Sequence, residues 1–430
     1  VSDRLELDLG LGAGAGRGID AAPWLDPAAY WPGLTAATRD LPAPVGALHL
    51  GALRHNAADM VRRAHGRPIR VASKSVRVRE VLEAVLRLPG FRGVLAYTLA
   101  EAIWLAQALP EHAGDLVVGY PTADRVSLAR LATDPELAAR IAIMVDSAEQ
   151  LDLVDAVLPA SRRAEIRVCL ELDASWYAPA LGHIGVRRSP VHEPADAAAL
   201  AAYIAGRPGF RLVGMMAYEA QIAGVVNRPA GRPVTGLVNR WMQGRSMPEL
   251  VERRTAAVAA VRAHADLEFV NGGGTGSLEA TAADASVTEL GAGSGLLGGH
   301  LFDGYAHFTP APASAFALDV VRRPTPDIAT VLGGGWIASG PPGADRQPLP
   351  VWPAGLEYLA REGAGEVQTP LRGAAARGLT VGDRVWFRHT KSGELAEHLA
   401  ELQVVDGASS GDAAVIGVIP TYRGEGQVFL

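Results

Sequence analysis

Four short stretches of this 430-residue chain put chemically costly residues where apolar runs end. Lys74 lies in "RVASKS" at the end of an apolar run, Tyr218 closes "MMAY", and the glycine-rich runs "NGGGTGS" (271–277) and "GAGSG" (291–295) follow two further apolar runs. A lysine at the end of a buried strand is either a solvent-facing loop residue or an amine nucleophile aimed at a carbonyl. Three glycines followed by Thr-Gly-Ser make either a plain flexible turn or a cradle whose backbone N–H groups approach an anion closely. A nucleotide P-loop is excluded, because no Gly-Lys-Ser/Thr ends the run, and Ser277 stands where a dinucleotide-binding turn requires a third glycine. An amine and a phosphate cradle together suit one cofactor, pyridoxal phosphate, which carries an aldehyde at one end and a phosphate at the other.

These residues need a scaffold that brings strand ends together. Between residues 46 and 305, short β-like runs alternate with longer helical ones. The strand candidates are "IRVAS" (69–73), "GVLAY" (93–97), "DLVVG" (115–119), "IAIMV" (141–145), "IRVCLEL" (166–172), "LVGMMAY" (212–218), "LEFVN" (267–271) and "VTELGAG" (287–293). Several are apolar throughout, as strands buried on both faces are. Helical patterns such as "TLAEAIWLAQAL", "SAEQLDLVDAVL", "DAAALAAYIAG" and "PELVERRTAAVAAVRAHA" lie between them. Strand–helix pairs in this number and length predict an α/β fold, a (β/α)8 TIM barrel, with an open doubly wound sheet as the competitor. Catalytic groups of such barrels sit at the C-terminal strand ends, where Lys74 and Tyr218 fall and after which the two glycine turns begin. From 306 to 430 the pattern changes to β-rich runs separated by Gly, Pro and Asp turns, which predicts a smaller C-terminal β domain. Residues 1–45 carry no clear period and are expected to join that domain.

The composition, 49% hydrophobic and 20% charged, is that of a globular chain with a large core. A net charge of -6 without a long basic run gives no expectation of nucleic acid as a partner. The single cysteine, Cys169, lies in an apolar run, so a buried strand residue is expected rather than a nucleophile, and no internal disulfide can form. No apolar run approaches a membrane span, and the first twenty residues lack a secretory pattern, so a cytoplasmic protein is expected. "GAGAGRG" (12–18) and "GPPGADRQPLPVWPAG" (340–355) read as loops.

Taken together, these motifs resemble the fold-type III pyridoxal phosphate enzymes, in which an alanine racemase-like barrel is followed by a β domain. Within that group the chain is more similar to the D-threonine aldolase and D-serine dehydratase branch than to the racemases. The resemblance spans most of the chain. It implies that Lys74 in "RVASKS" forms the Schiff base, and that Tyr218 in "MAYEAQIAG" lies near the cofactor. "NGGGTGS" and "TELGAGSG" resemble two phosphate-binding turns, implying contacts from Gly273, Gly274, Thr275, Gly293 and Ser294. "CLELD" and "HIGVRRSP" resemble the branch's acidic strand and its R-x-G-V segment, but His183 stands where arginine is usual.

In the β domain, "VGDRVWFRHTKSGE" resembles the segment that carries a metal-binding histidine, and His389 falls on it. The second ligand of the branch, cysteine or aspartate, is here Lys391, and a protonated lysine cannot ligate a divalent metal. Glu394 and His398 are alternative ligands, although "SGELAEHLAEL" also fits a short amphipathic helix with solvated charges. Without a metal, His389 is expected to act as an acid or base. The activity implied is that of a lyase on D-β-hydroxy amino acids. Retro-aldol cleavage is favoured over dehydration, since expelling hydroxide is hard without a Lewis acid. Racemisation and cofactor binding without turnover are the other readings, as is a barrel for some other phosphorylated ligand. The architecture also implies a homodimer.

Overall fold

The computed structural model describes residues 5–7, 22–179, 181–341, 343–391, 393–407 and 411–430. The glycine-rich stretch at 12–18 lies outside them. Two compact units divide the chain: one holds the described residues up to Asp59, Lys74–Val85 and Ser294–Val428, the other Met60–Ser73, Leu86–Gly293 and Phe429–Leu430. Among the described residues no helix is long and apolar enough to cross a membrane.

The second unit is a closed barrel of eight parallel strands. In chain order these are Ile69–Ala72, Phe91–Ala96, Leu116–Val118, Ile141–Val145, Ile166–Glu171, Phe210–Ala217, Phe269–Gly272 and Glu289–Ala292. Each expected strand of the barrel is present within one or two residues of its predicted bounds, and the open-sheet competitor is excluded because the last strand pairs with the first. Val117, Ala142, Met144, Cys169, Val213 and Phe269 pack together in its core. Gly214 is required there, since a Cβ at that position would come within 2.1 Å of the Phe269 ring. Cys169 is buried, and burial pushes its thiol well above the ordinary range, as expected of an inert strand residue. One polar layer interrupts the apolar core. Buried Arg70 donates to both carboxylate oxygens of Glu289 at 2.6 and 2.9 Å and to Asp115 at 2.8 Å, a bidentate arrangement that offsets the cost of burying the charges.

Helices lie between these strands and begin at polar caps: Thr98 for the expected Leu99–Ala108, a Ser147–Gln150 capping box for the expected Ala148–Val157, and Asp124 for a further helix, Arg125–Thr133. One helix departs from expectation. Pro248 was expected to start it, but the helix runs from Pro233 to Arg262 with Pro248 inside. Proline there forfeits one backbone hydrogen bond. Both halves nevertheless bury side chains, Met242 and Ser246 before it and Leu250, Arg254 and Val258 after it.

The first unit is built on a nine-stranded sheet. Its central strand Ser314–Thr325 pairs antiparallel with Val45–His49, Ile328–Leu332 and Arg384–Arg388. Val45–His49 also pairs, in parallel, with Glu401–Asp406. Tyr30, Trp31 and Leu34 of the helix Pro27–Ala37 pack on Val45, Ala47, Trp386 and Val405. Arg384 ties this helix's end down by donating to the Thr38 carbonyl at 2.6 Å and the Leu41 carbonyl at 2.8 Å.

One loop reading and one helix reading need correction. Part of the Pro-rich stretch 340–355 is a strand, Leu349–Trp352, which pairs with Arg384–Arg388. It sits at the end of the pairing order, where proline's missing N–H is tolerated. The amphipathic helix allowed for 392–402 is instead a 3-10 turn, Gly393–Glu397, followed by the strand Glu401–Asp406.

Candidate active site

The barrel unit brings Tyr218 against the glycine turn that follows the seventh strand. A Cβ on Gly274 would lie 3.2 Å from the Tyr218 ring, and Gly273 holds φ +86, a conformation that other residues rarely adopt. One carboxylate holds this turn in place. Glu219, next to Tyr218 and fully buried, accepts from the Gly273 N–H at 3.1 Å, from the Ser277 hydroxyl at 3.2 Å and from the Thr281 hydroxyl. The Gly274 N–H donates to the Ser277 hydroxyl at 3.1 Å. Behind Glu219 stands Arg254, also fully buried, 3.5 Å from the Glu219 carboxylate and bonded to Asp284 at 2.8 Å. Arg63 donates to the Thr275 carbonyl at 2.7 Å. The turn is therefore a fixed structure rather than a flexible link. After the eighth strand, Gly293 is required by packing: a Cβ there would meet the Ala72 carbonyl at 2.3 Å.

The sequence marks "CLELD" as an acidic strand but assigns no role to Glu171, which forms a second cluster in this unit. Glu171 ends the fifth strand at 4% exposure, and burial pushes its carboxyl up to about 7, against the lowering pull of Arg188. Asp146 and Asp173 add to the rise. A signal was available, since a glutamate at the end of the apolar run "IRVCLE" is chemically costly in the same way as Lys74. Because the folded chain holds this proton more tightly than the unfolded one, the stability it contributes is full in acid and lost as pH rises towards about 7. Glu171→Gln removes that loss. Denaturant midpoints measured between about pH 5 and about pH 8 should fall less steeply for the variant than for the parent. Parallel slopes would show that Glu171 titrates normally.

The other unit contains Lys74, Ser294 and His389. Lys74 is partly exposed in the 3-10 turn Ser73–Ser75, directly after the first barrel strand. Arg77 donates to its carbonyl at 2.9 Å and pairs with Glu397. The segment after His389 passes so close that a Cβ on Gly393 would lie 2.4 Å from that same carbonyl. Ser294 opens the short helix Ser294–Leu297.

His389 follows the strand Arg384–Arg388 at 1% exposure. Among the described residues neither ring nitrogen has a hydrogen-bond partner, and the Ser314 backbone opposes the lowering by burial. Burial lowers the imidazole to about 4, with Glu394 opposing that shift. It is therefore neutral at neutral pH. The other candidate ligands are otherwise engaged. Glu394 accepts the Lys391 N–H at 2.7 Å, His300 bonds the Gln347 carbonyl at 2.8 Å, and His398 stacks on Trp336 at 4.8 Å. Among the described residues no three His, Cys, Asp or Glu side chains form a metal-binding group. Lys391 is lowered by burial, then by Arg346 and Lys74, so its ammonium shares an electrostatic environment with Lys74. His183 lies in the hairpin formed by Trp176–Ala178 and Gly182–Ile184, edge-on to Tyr177 at 5.1 Å.

Among curated proteins, a D-threonine aldolase from Arthrobacter sp. is 29% identical over 310 residues, covering 69% of this chain and 71% of that protein. Among solved structures, D-threonine aldolase from Filomicrobium marinum superposes with a TM-score of 0.71 at 21% identity, covering 91% of this chain and 97% of the other. D-threo-3-hydroxyaspartate dehydratase from Delftia sp. HT23 superposes with a TM-score of 0.66 at 19% identity, covering 89% and 98%. At those identities the two structures share the fold. Residues 48–300 match the family described as alanine racemase, N-terminal domain. Since that match takes in more than half of the sequence, the chain belongs to the alanine racemase N-terminal domain family.

Proposed function

We propose that this protein is a pyridoxal phosphate-dependent lyase that cleaves D-β-hydroxy amino acids by a retro-aldol reaction. The observation that carries the reading is Lys74, a partly exposed amine in the turn directly after the first barrel strand, in a chain related to a D-threonine aldolase. The donor set suits the cofactor. Lys74 would take its aldehyde and Tyr218 would contact it. Gly273, Gly274 and Gly293 shape the two turns, while Thr275 and Ser294 supply hydroxyls for the phosphate. When bound, pyridoxal phosphate supplies the electron sink that stabilises negative charge at Cα.

The chain's own residues handle the protons. His389, neutral at neutral pH, takes the β-hydroxyl proton as the Cα–Cβ bond breaks and the β-carbon leaves as an aldehyde. The bonding pair remains at Cα, the Lys74 side chain, as the ammonium, delivers a proton there to give glycine, and the proton held on His389 makes up the one Lys74 has given. Dehydration would instead expel hydroxide, which a Lewis acid assists. The residues around His389 do not fit a divalent metal, because a lysine stands at position 391 in place of a cysteine or aspartate, and Glu394 and His300 are hydrogen-bonded elsewhere. No step is therefore assigned to a metal.

The test is the purified holoenzyme with D-threonine, with and without a chelator. Glycine and acetaldehyde in equal amounts, at the same rate in both, are expected. A keto acid with ammonia would replace this reading by dehydration, and loss of the rate with chelator would restore the metal. We also propose a homodimer, by analogy with the architecture alone. A single monomeric species in sedimentation at assay concentration would contradict it.

A further inference from the structure

The long helix Pro233–Arg262 begins well outside the barrel it serves. It returns from the C-terminal end of the sixth strand and passes the strand ends only near Arg253. That arginine donates to the carbonyls of Asp173 at 2.7 Å and Ser175 at 2.9 Å, just beyond the fifth strand. Its neighbour Arg254 pairs with Glu219, just beyond the sixth. The helical residues before Arg253 therefore form an arm of about 30 Å past those ends.

The arm is built inside out. Asn239 and Gln243 face the protein, donating to the carbonyls of Val226 and Val225 at 2.8 Å each. Val234, Leu237, Val238 and Trp241 recur at helical spacing on the opposite side, and each is more than half exposed. An ordinary surface helix does the reverse and turns its apolar stripe to the core. Trp176 of the hairpin Trp176–Ala178 and Gly182–Ile184 supports the arm, its ring centre 6.1 Å from that of Trp241. The four outward side chains expose on the order of 450 Å², a patch of the size that marks a contact surface.

Charge decides what this face fits. Arg228, Arg232, Arg240 and Arg245 are exposed around the stripe, and no Asp or Glu occurs from 220 to 248, in a chain whose net charge is -6. Two copies apposed through this face would press like charges together. The area is also short of the ~800 Å² that each partner buries in a standard protein interface. A surface of anionic lipid suits both features. Apolar side chains enter the headgroup boundary, the indole sits at it, and guanidiniums meet the lipid phosphates. The arm lies on such a surface without crossing it, since no described helix is long and apolar enough to span one.

We infer that this arm docks the protein on anionic lipid surfaces through Leu237, Val238 and Trp241 and the arginines that flank them. The inference goes beyond the lyase reading and does not depend on it.

The test sediments the purified full chain with vesicles of phosphatidylcholine alone, or of an equal mixture with phosphatidylglycerol. The parent should pellet with the mixed vesicles, more weakly as salt is raised, and stay in solution with the neutral ones. Leu237→Glu and Trp241→Glu should each lower the partition coefficient about tenfold or more. Arg232→Gln combined with Arg245→Gln should lower it roughly ten- to thirtyfold. All four positions are exposed, so thermal unfolding and D-threonine cleavage in lipid-free solution should match the parent's. Equal binding by the parent and Trp241→Glu, or none by the folded parent to the mixed vesicles, would overturn the inference. So would a change from dimer to monomer in lipid-free sedimentation of Trp241→Glu, which would assign the face to a second copy.

Discussion

Lys74→Ala should abolish both the long-wavelength absorbance of bound pyridoxal phosphate and the cleavage of D-threonine. Two separate losses combine in this variant. The alanine has no amine to hold the aldehyde, so the cofactor is retained through its phosphate alone. It also has no group to return the proton to Cα, and removal of a positioned proton-transfer group costs roughly 10²–10⁴-fold by itself. Folding should be little affected, because the side chain is partly exposed in a short turn whose backbone Arg77 already braces. The measurement is an absorbance spectrum of parent and variant incubated with pyridoxal phosphate, followed by glycine production. A variant that keeps the band and turns over normally would remove Lys74 from the chemistry and leave the barrel with some other phosphorylated ligand.

Arg254→Leu should produce the largest loss of stability. Arg254, Glu219 and Asp284 are buried together, and the arginine is the cation that balances two carboxylates. Removing one member of a buried ionic group costs about 3–5 kcal/mol, because the partner charges stay buried without compensation. The effect should extend to the site. Glu219 holds the Gly273 N–H and the Ser277 and Thr281 hydroxyls, and a Glu219 carboxylate with no cation beside it draws water or a proton and loosens that turn. Denaturant unfolding should show the lowered midpoint, and a pyridoxal phosphate titration of the folded variant should show weaker affinity with the Lys74 band intact. An unchanged midpoint would mean that the three charges are solvated in solution.

Much of this was legible in the residues themselves. The barrel strands are short and mostly apolar, several of them rich in Val and Ile, as parallel strands buried on both faces are. Their spacing by capped helices then leaves few topologies. Lys74, Tyr218 and the glycine turns stood out for a related reason: each interrupts an apolar run with a residue that packing alone does not require. The strand Val45–His49 did not stand out, because five residues give no period long enough to separate strand from helix, and its partners lie hundreds of residues away, at 314–317 and 403–405. Pro248 failed as a boundary signal because burial on both sides outweighed one lost backbone hydrogen bond.

The sequence by itself determined the class of barrel, the amine at the first strand end and the turns after the seventh and eighth. Those properties depend on local pattern and on chain order. Tertiary structure alone decided what the polar groups do, because pairing between distant charges leaves no local period. Only packing shows that Glu219 and Arg254 lock the glycine turn, or that His389 is buried enough to stay neutral. Packing also supports Glu171 at the strand end, holding its proton up to about 7, and Arg188 between two tyrosines.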